Sequence, residues 1–263
     1  MIDGDLTVQL INATVQVEQP TADGRRTVGT GFLVSAPKLD GTPRVVLVTA
    51  AHVFERMPER EIRVGWRFSD PSGEWRYAPA SVTIRDEAGI RWFRHPVEDV
   101  AILPIEAPES FTKAAIPLDW IADAETFEDY GVGPGDEMMT LGFPNGLASN
   151  RAGFPILRSG RVASYPLTPV KAFPVFLIDL TAVSGNSGGA VFMTHKSRRH
   201  PSTEQPAQVF IAGILTRQVE QDNNRLELGV VTQAVFVREA IAFMDEAGAT
   251  PSPVAIQDKP TGR

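Results

Sequence analysis

Apolar and polar residues alternate with a period of two along much of this 263-residue chain. From Leu6 to Val17, Val8, Leu10 and Val15 stand against Gln9 and Gln16, a half-buried strand pattern. Thr30 to Ser35 and Val45 to His52 flank the turn residues Asp40-Gly41-Thr42-Pro43, which predicts a hairpin whose second strand ends at a histidine. Ile62 to Phe68 and Trp75 to Ile84 read as another pair across Asp70-Pro71-Ser72-Gly73. Asp99 then leads straight into an apolar strand, Val100 to Ile105. The rhythm changes between Pro108 and Pro134, where Trp120, Ile121, Ala124 and Phe127 recur at helical spacing among acidic residues and predict a short amphipathic helix. Period two returns in Gly135 to Gly146, Ile156 to Ala163, Val175 to Thr181, Ala190 to Met193, Gln208 to Thr216 and Leu226 to Val231. His195 to Pro206 reads as a polar loop and Ala234 to Ala247 as a C-terminal helix.

The expected class is all-β, with an N-terminal unit over residues 1–115, a connector over 116–134, a second unit with the C-terminal helix over 135–248, and a tail over 249–263. The 22 Gly and 21 Pro, with 8% aromatic residues, fit many short strands joined by turns. A net charge of -7 argues against a general affinity for nucleic acid or an anionic membrane surface. The absence of cysteine removes disulfides, thiolate chemistry and sulfur-ligated zinc, and fits a reducing compartment. No basic, apolar leader opens the chain and no apolar run approaches the about 18 residues of a membrane span. The expectation is a cytoplasmic protein.

Candidate chemistry gathers at Val183-Ser184-Gly185-Asn186-Ser187-Gly188-Gly189-Ala190-Val191, one nucleophile among glycines between two apolar runs. A serine hydroxyl attacks only if a base takes its proton and donors await the oxyanion. Glycines let backbone N–H groups turn outward, although the same residues also make ordinary turns. His52 and Asp99, each at a predicted strand end, are the candidates for base and orienting acid; taken alone, Asp99 reads as a turn residue or strand cap.

The order His, Asp, Ser within Thr49-Ala50-Ala51-His52, Asp99-Val100-Ala101-Ile102-Leu103 and Gly185-Asn186-Ser187-Gly188-Gly189 resembles the trypsin-like serine peptidases of the chymotrypsin fold. It is closest to the bacterial Deg/HtrA-style peptidase domain. Thr30-Gly31-Phe32, Gly142 to Gly146, Ser159 to Ser164 and Gly213-Ile214-Leu215 add to the likeness, which covers Gly29 to Thr232. The resemblance implies two antiparallel six-stranded β-barrels with the active site between them. It also implies a catalytic triad of His52, Asp99 and Ser187, an oxyanion hole from the N–H groups of Gly185 and Ser187, and no cofactor or metal. Thr181, Thr216 and Val230 would line the specificity pocket, and since none is acidic an uncharged side chain is the expected guest.

Two features depart from relatives. Asn186 stands where the digestive enzymes carry an aspartate that pairs with a freshly cut N-terminus, so the site should be ordered as made or by an unknown activating partner. Too few residues follow Val231 for a PDZ domain.

The function expected is peptide hydrolysis on a polypeptide substrate; the alternatives are a binding or scaffold module that keeps the triad unused, and a serine esterase. Gly185 to Gly189 also fits the nucleophile elbow of α/β hydrolases, but no later histidine stands in a βαβ setting. His95 reads as a loop residue, and the basic run His195 to His200 as a solvated loop.

Overall fold

The computed structural model describes residues 6–21, 23–193, 209–221 and 224–246. The chain opens on a helix, α1 (Leu6–Ala13), before β1 (Thr14–Pro20). Leu6, Leu10 and Ala13 recur in sequence at spacings of four and three, a helical period, and Leu10 and Ala13 are fully buried. The predicted strand therefore holds only from Thr14 onward.

The predicted hairpin forms from β2 (Arg26–Ser35) and β3 (Val45–Thr49), with Phe32 opposite Val48. A short helix, α2 (Ala51–Glu55), follows and carries His52 beyond the strand end. Next come β4 (Glu61–Ser69) and β5 (Trp75–Thr83), a small ribbon of β6 (Arg85–Asp86) and β7 (Gly89–Ile90), then β8 (Phe93–Arg94), β9 (Ala101–Pro104), α3 (Glu109–Ala114) and β10 (Ile116–Pro117). The sheet runs β5-β4-β1-β2-β3-β9-β8, with β10 added in parallel to β2.

The expected six-stranded barrel is not shown in the N-terminal half: among the described residues eight strands pair there, and the path of the sheet ends on β5 and β8. One edge strand, β8, has 2 residues against 9 in β5, and the intervening ribbon pairs only with itself.

In the second half the expected closed barrel is present. The predicted connector helix is divided. Residues Leu118–Trp120 make one 3-10 turn, whereas Ile121 bridges to Ile211 and the Ala122 N–H donates to the Ile211 carbonyl. Asp123 then accepts the Thr126 N–H at 3.0 Å just before α4 (Thr126–Asp129). Strands β11 (Glu137–Gly142), β12 (Ile156–Val162), β13 (Val175–Asp179), β14 (Ala190–Met193), β15 (Phe210–Gln221) and β16 (Asn224–Gln233) close in the order β11-β12-β13-β16-β15-β14. The last described element is α5 (Val235–Glu246). The expected loop and basic run of 195–206 and the tail of 249–263 lie outside the described residues.

Helix α5 leaves the second barrel and packs on β8 and β9 of the first half. His95 is buried beneath it against Phe236 and Phe243, its Nδ1 accepting the Glu98 N–H at 2.9 Å. Arg44 makes a two-pronged pair with Asp245 at 2.5 and 3.1 Å, the two side chains 1% and 9% exposed. Asp245→Ala would leave Arg44 buried without its counter-charge, and the expected cost is about 3 to 5 kcal/mol, read as a lowered urea midpoint.

Arg67 ties the halves at another point. Its guanidinium donates to the Ile11, Asn12, Thr14 and Gly153 carbonyls and stacks between Phe111 and Phe154. Burial pushes it down to about 10, still a cation at neutral pH. No helix among the described residues is long and apolar enough to cross a membrane.

Candidate active site

His52 is the second residue of α2, and Asp99 closes the turn before β9. The antiparallel pairing of β3 with β9, Thr49 opposite Ala101, sets these strand ends side by side. One Asp99 oxygen accepts the His52 backbone N–H at 3.0 Å, and the other lies 2.7 Å from His52 Nδ1. A carboxylate there accepts, so Nδ1 carries the proton and Nε2 keeps its lone pair. Burial alone would raise the Asp99 carboxyl. Bonds from the His52 ring and the His52 and Ala51 backbone, with the charge the ring bears when protonated, hold it below the usual range instead.

Ser187 comes from the other half, on the turn between β13 and β14. Its Oγ donates to the Thr216 carbonyl at 3.0 Å. His52, Asp99 and Ser187 line one cleft of about 930 Å³.

Around Ser187 the backbone donors divide into two sets. The Asn186 N–H donates to Val183, Gly188 to Leu215 and Gly189 to Asn186, whereas the N–H groups of Gly185 and Ser187 meet no acceptor among the described residues. Their direction follows from the peptide plane, in which C=O and the next N–H point opposite ways. The Ser184 carbonyl is held by the Asn145 N–H at 2.6 Å and the Asn186 carbonyl by the Gly189 N–H at 3.1 Å. Each bond turns the following N–H, that of Gly185 or Ser187, away from the body of the loop.

Glycine is required at the bends. Gly185 has φ +93°, and a Cβ would lie 2.2 Å from the Phe143 carbonyl oxygen; Gly188 has φ +91° and would meet the Thr30 carbonyl at 2.0 Å.

Thr30 braces this loop from the first half. It is fully buried; its N–H donates to the Ser187 carbonyl at 2.8 Å, and its hydroxyl donates to the Gly185 carbonyl at 2.7 Å while accepting the Phe143 N–H at 3.1 Å. Thr49 Oγ1 in turn holds the Thr30 carbonyl at 2.7 Å. The Pro144–Gly146 turn, which presents Asn145 to the cleft, is held by Gln16 through the Gly146 carbonyl, and Gln16 by the Tyr77 hydroxyl. Burial, with the Glu18 carboxylate, pushes that phenol up to about 12, so it remains a donor.

Of the residues expected in the specificity pocket, Thr216 lines the cleft beside Ala182 and Val183, but Thr181 and Val230 do not. The Thr181 carbonyl accepts a bond from Arg158, and Val230 is buried with its carbonyl on Thr216 Oγ1. Thr30 escaped as a site residue although Thr30-Gly31-Phe32 carries part of the resemblance, because the loop groups its hydroxyl braces, at Gly185 and Phe143, lie more than a hundred positions away. Arg26, Arg56 and Arg217 also line the cleft and carried no sequence signal beyond Arg56 standing four positions after His52.

Similar folds occur among solved structures. A variant of the HtrA-type protease AlgW with a tripeptide matches at 16% identity and TM-score 0.55, covering 93% of this chain and 64% of its own. AlgW with a decapeptide matches at 15% and 0.53, covering 93% and 67%. The active form of the Rv3671c protease from M. tuberculosis matches at 17% and 0.52, covering 99% and 88%. At these identities the likeness speaks to the fold. No curated protein matches the sequence. The family model described as the trypsin-like peptidase domain matches residues 29–198, which contain His52, Asp99 and Ser187 in their expected order, and the chain therefore belongs to that family.

Proposed function

We propose that the chain is a serine endopeptidase working through His52, Asp99 and Ser187. The observation that carries this reading is the 2.7 Å contact of Asp99 with His52 Nδ1, in the same cleft as Ser187 and two backbone N–H groups without acceptors. Rotation of Ser187 about χ1 takes Oγ from the Thr216 carbonyl toward the imidazole, and such contacts commonly tighten only once substrate is bound. Ser187 Oγ then attacks the scissile carbonyl carbon as its proton passes to His52 Nε2. The oxyanion lodges on the N–H groups of Gly185 and Ser187. His52 returns the proton to the departing amine, leaving an acyl group on Ser187. Water, deprotonated by the same imidazole, releases the acid.

Asn186 offers no carboxylate for an ion pair with a new N-terminus, and in this reading the Asn145 and Gly189 N–H groups, holding the Ser184 and Asn186 carbonyls, order the hole while Thr30 braces the peptide between them. The reading as an idle binding module rests on the Ser187–Thr216 bond, which leaves the hydroxyl away from the base.

A fluorophosphonate probe decides between these two. The native protein is expected to label at Ser187 and Ser187→Ala to stay unlabelled; no label on the native chain, with a control protease labelled, would leave the binding module. A peptide-library digest against the same variant tests the substrate. Ester turnover without peptide cleavage would move the reading to an esterase.

A further inference from the structure

The chain carries a net charge of -7, yet the wall of its cleft is rich in cations. Arg26, Arg56 and Arg217 line it, with Asp99 and Glu220 as the acidic residues there. Asp99 is engaged by His52, and Arg26 by the nearly buried Glu18 at 2.7 Å. Arg56 and Arg217 are exposed and meet no carboxylate among the described residues; Glu55, the acid next to Arg56, is taken by Arg94.

Their places are specific. Arg56 follows His52 by one helical turn, and its N–H donates to the His52 carbonyl at 3.1 Å. Arg217 follows Thr216, whose carbonyl holds the Ser187 hydroxyl. One belongs to each half of the molecule, and both line the cleft that holds His52 and Ser187.

We propose that these two arginines select acidic polypeptides, with Asp or Glu side chains flanking the bond held at Ser187. This rests on the cleft being a peptide site and adds to that reading the chemical class of the substrate. A guanidinium presents a planar fork matched to a carboxylate, and a concave wall of low dielectric strengthens the attraction. Repulsion from the acidic remainder of the surface opposes it except at the cleft, which directs an acidic chain to that one place. The central side chain of the substrate, entering beside Ala182, Val183 and Thr216, remains uncharged in this scheme.

The test separates binding from catalysis. Three fluorescent peptides share length and central residue and differ only in flanks of Glu, Gln or Lys. Their affinity for Ser187→Ala is measured by anisotropy at low and high salt. The expected order is Glu above Gln above Lys, with the Glu peptide favoured over Gln by about threefold per arginine and about tenfold in all, fading at high salt. Adding Arg56→Gln with Arg217→Gln should bring the Glu and Gln peptides level; melting curves show whether these exposed substitutions leave the fold intact. Equal binding of Glu and Lys peptides, a preference untouched in the double variant, or displacement of the Glu peptide by an equally charged single-stranded oligonucleotide would each overturn the proposal. The active protein is then given the same peptides. Selective binding without any cleavage would count against the peptidase reading and leave the charge selection standing, whereas equal cleavage of all three would do the reverse.

Discussion

Asp99→Asn is expected to lower kcat on a peptide by about 10⁴-fold, the loss that the same exchange causes in the triad of the digestive enzymes. The cause is a tautomer. Both Asp99 oxygens accept, one from His52 Nδ1 and one from the His52 N–H, which leaves Nε2 free to take a proton. An amide in that place presents its NH₂ to the ring, Nδ1 becomes the acceptor, and the ring proton moves to Nε2 where the serine proton should go. Shape is nearly unchanged, so a melting curve should stay close to wild type while turnover collapses.

The pH behaviour follows from the depressed Asp99 carboxyl. A folded-state value below the unfolded one, about 3.9 for a free aspartate, gives stability that is present above that value and lost as pH falls through the folded one. Asp99 is therefore ionised throughout the region where a free imidazole titrates, near about 6.5, and a loss of activity there is not the carboxylate's. An Asn variant that retained wild-type kcat would remove Asp99 from the mechanism.

Thr30→Val is expected to lower kcat by about 10²-fold or more with little change in KM, on the scale of losing an oxyanion donor. Valine fills the same fully buried space but cannot donate to the Gly185 carbonyl or accept the Phe143 N–H, bonds of 2.7 and 3.1 Å. Both backbone groups would be left buried without a partner, at a cost of about 1 to 3 kcal/mol each, and the Gly185–Asn186 peptide, which lies between the two that carry the hole's N–H groups, would lose its anchor. A purely structural effect would lower the melting temperature and spare kcat of the folded fraction. Thr30→Ser keeps the hydroxyl and should restore turnover even if the missing methyl costs some stability. Equal kcat in Thr30→Val and wild type would show that the loop needs no brace.

Much of this molecule is legible in local sequence. The pairs β2 with β3 and β4 with β5 follow from alternation interrupted by Asp40-Gly41 and Asp70-Pro71-Ser72-Gly73, because strand and turn signals span only neighbouring residues. The strands of the second barrel are read in the same way, whereas its closure was implied by the family resemblance and is made by non-local pairs such as β11 with β14 and β13 with β16. The start of the chain was ambiguous for a physical reason: Leu6, Leu10 and Ala13 fit a helix as well as Val8, Leu10 and Val15 fit a strand, and the burial of Leu10 and Ala13 decides in favour of α1. Likewise Trp120 to Phe127 has helical spacing, but the start of β15 recruits Ile121 and Ala122 to Ile211, and tertiary hydrogen bonds override the local period.

The site divides along the same line. Residue types and their order are sequence properties: the glycines that permit φ near +90° at 185 and 188, the histidine beyond β3, the acid before β9, and an asparagine at 186 that excludes a charged latch. What tertiary structure alone decided is the set of contacts made across long separations. These include the side-by-side ends of β3 and β9, the Thr30 hydroxyl on the Gly185 carbonyl, the peptide planes that free two N–H groups, and two arginines from different halves brought to one cleft of an acidic protein. Periodicity records which face of an element is buried, but not which distant backbone group will complete its hydrogen bonds, and that pairing emerges only when the two halves are packed together.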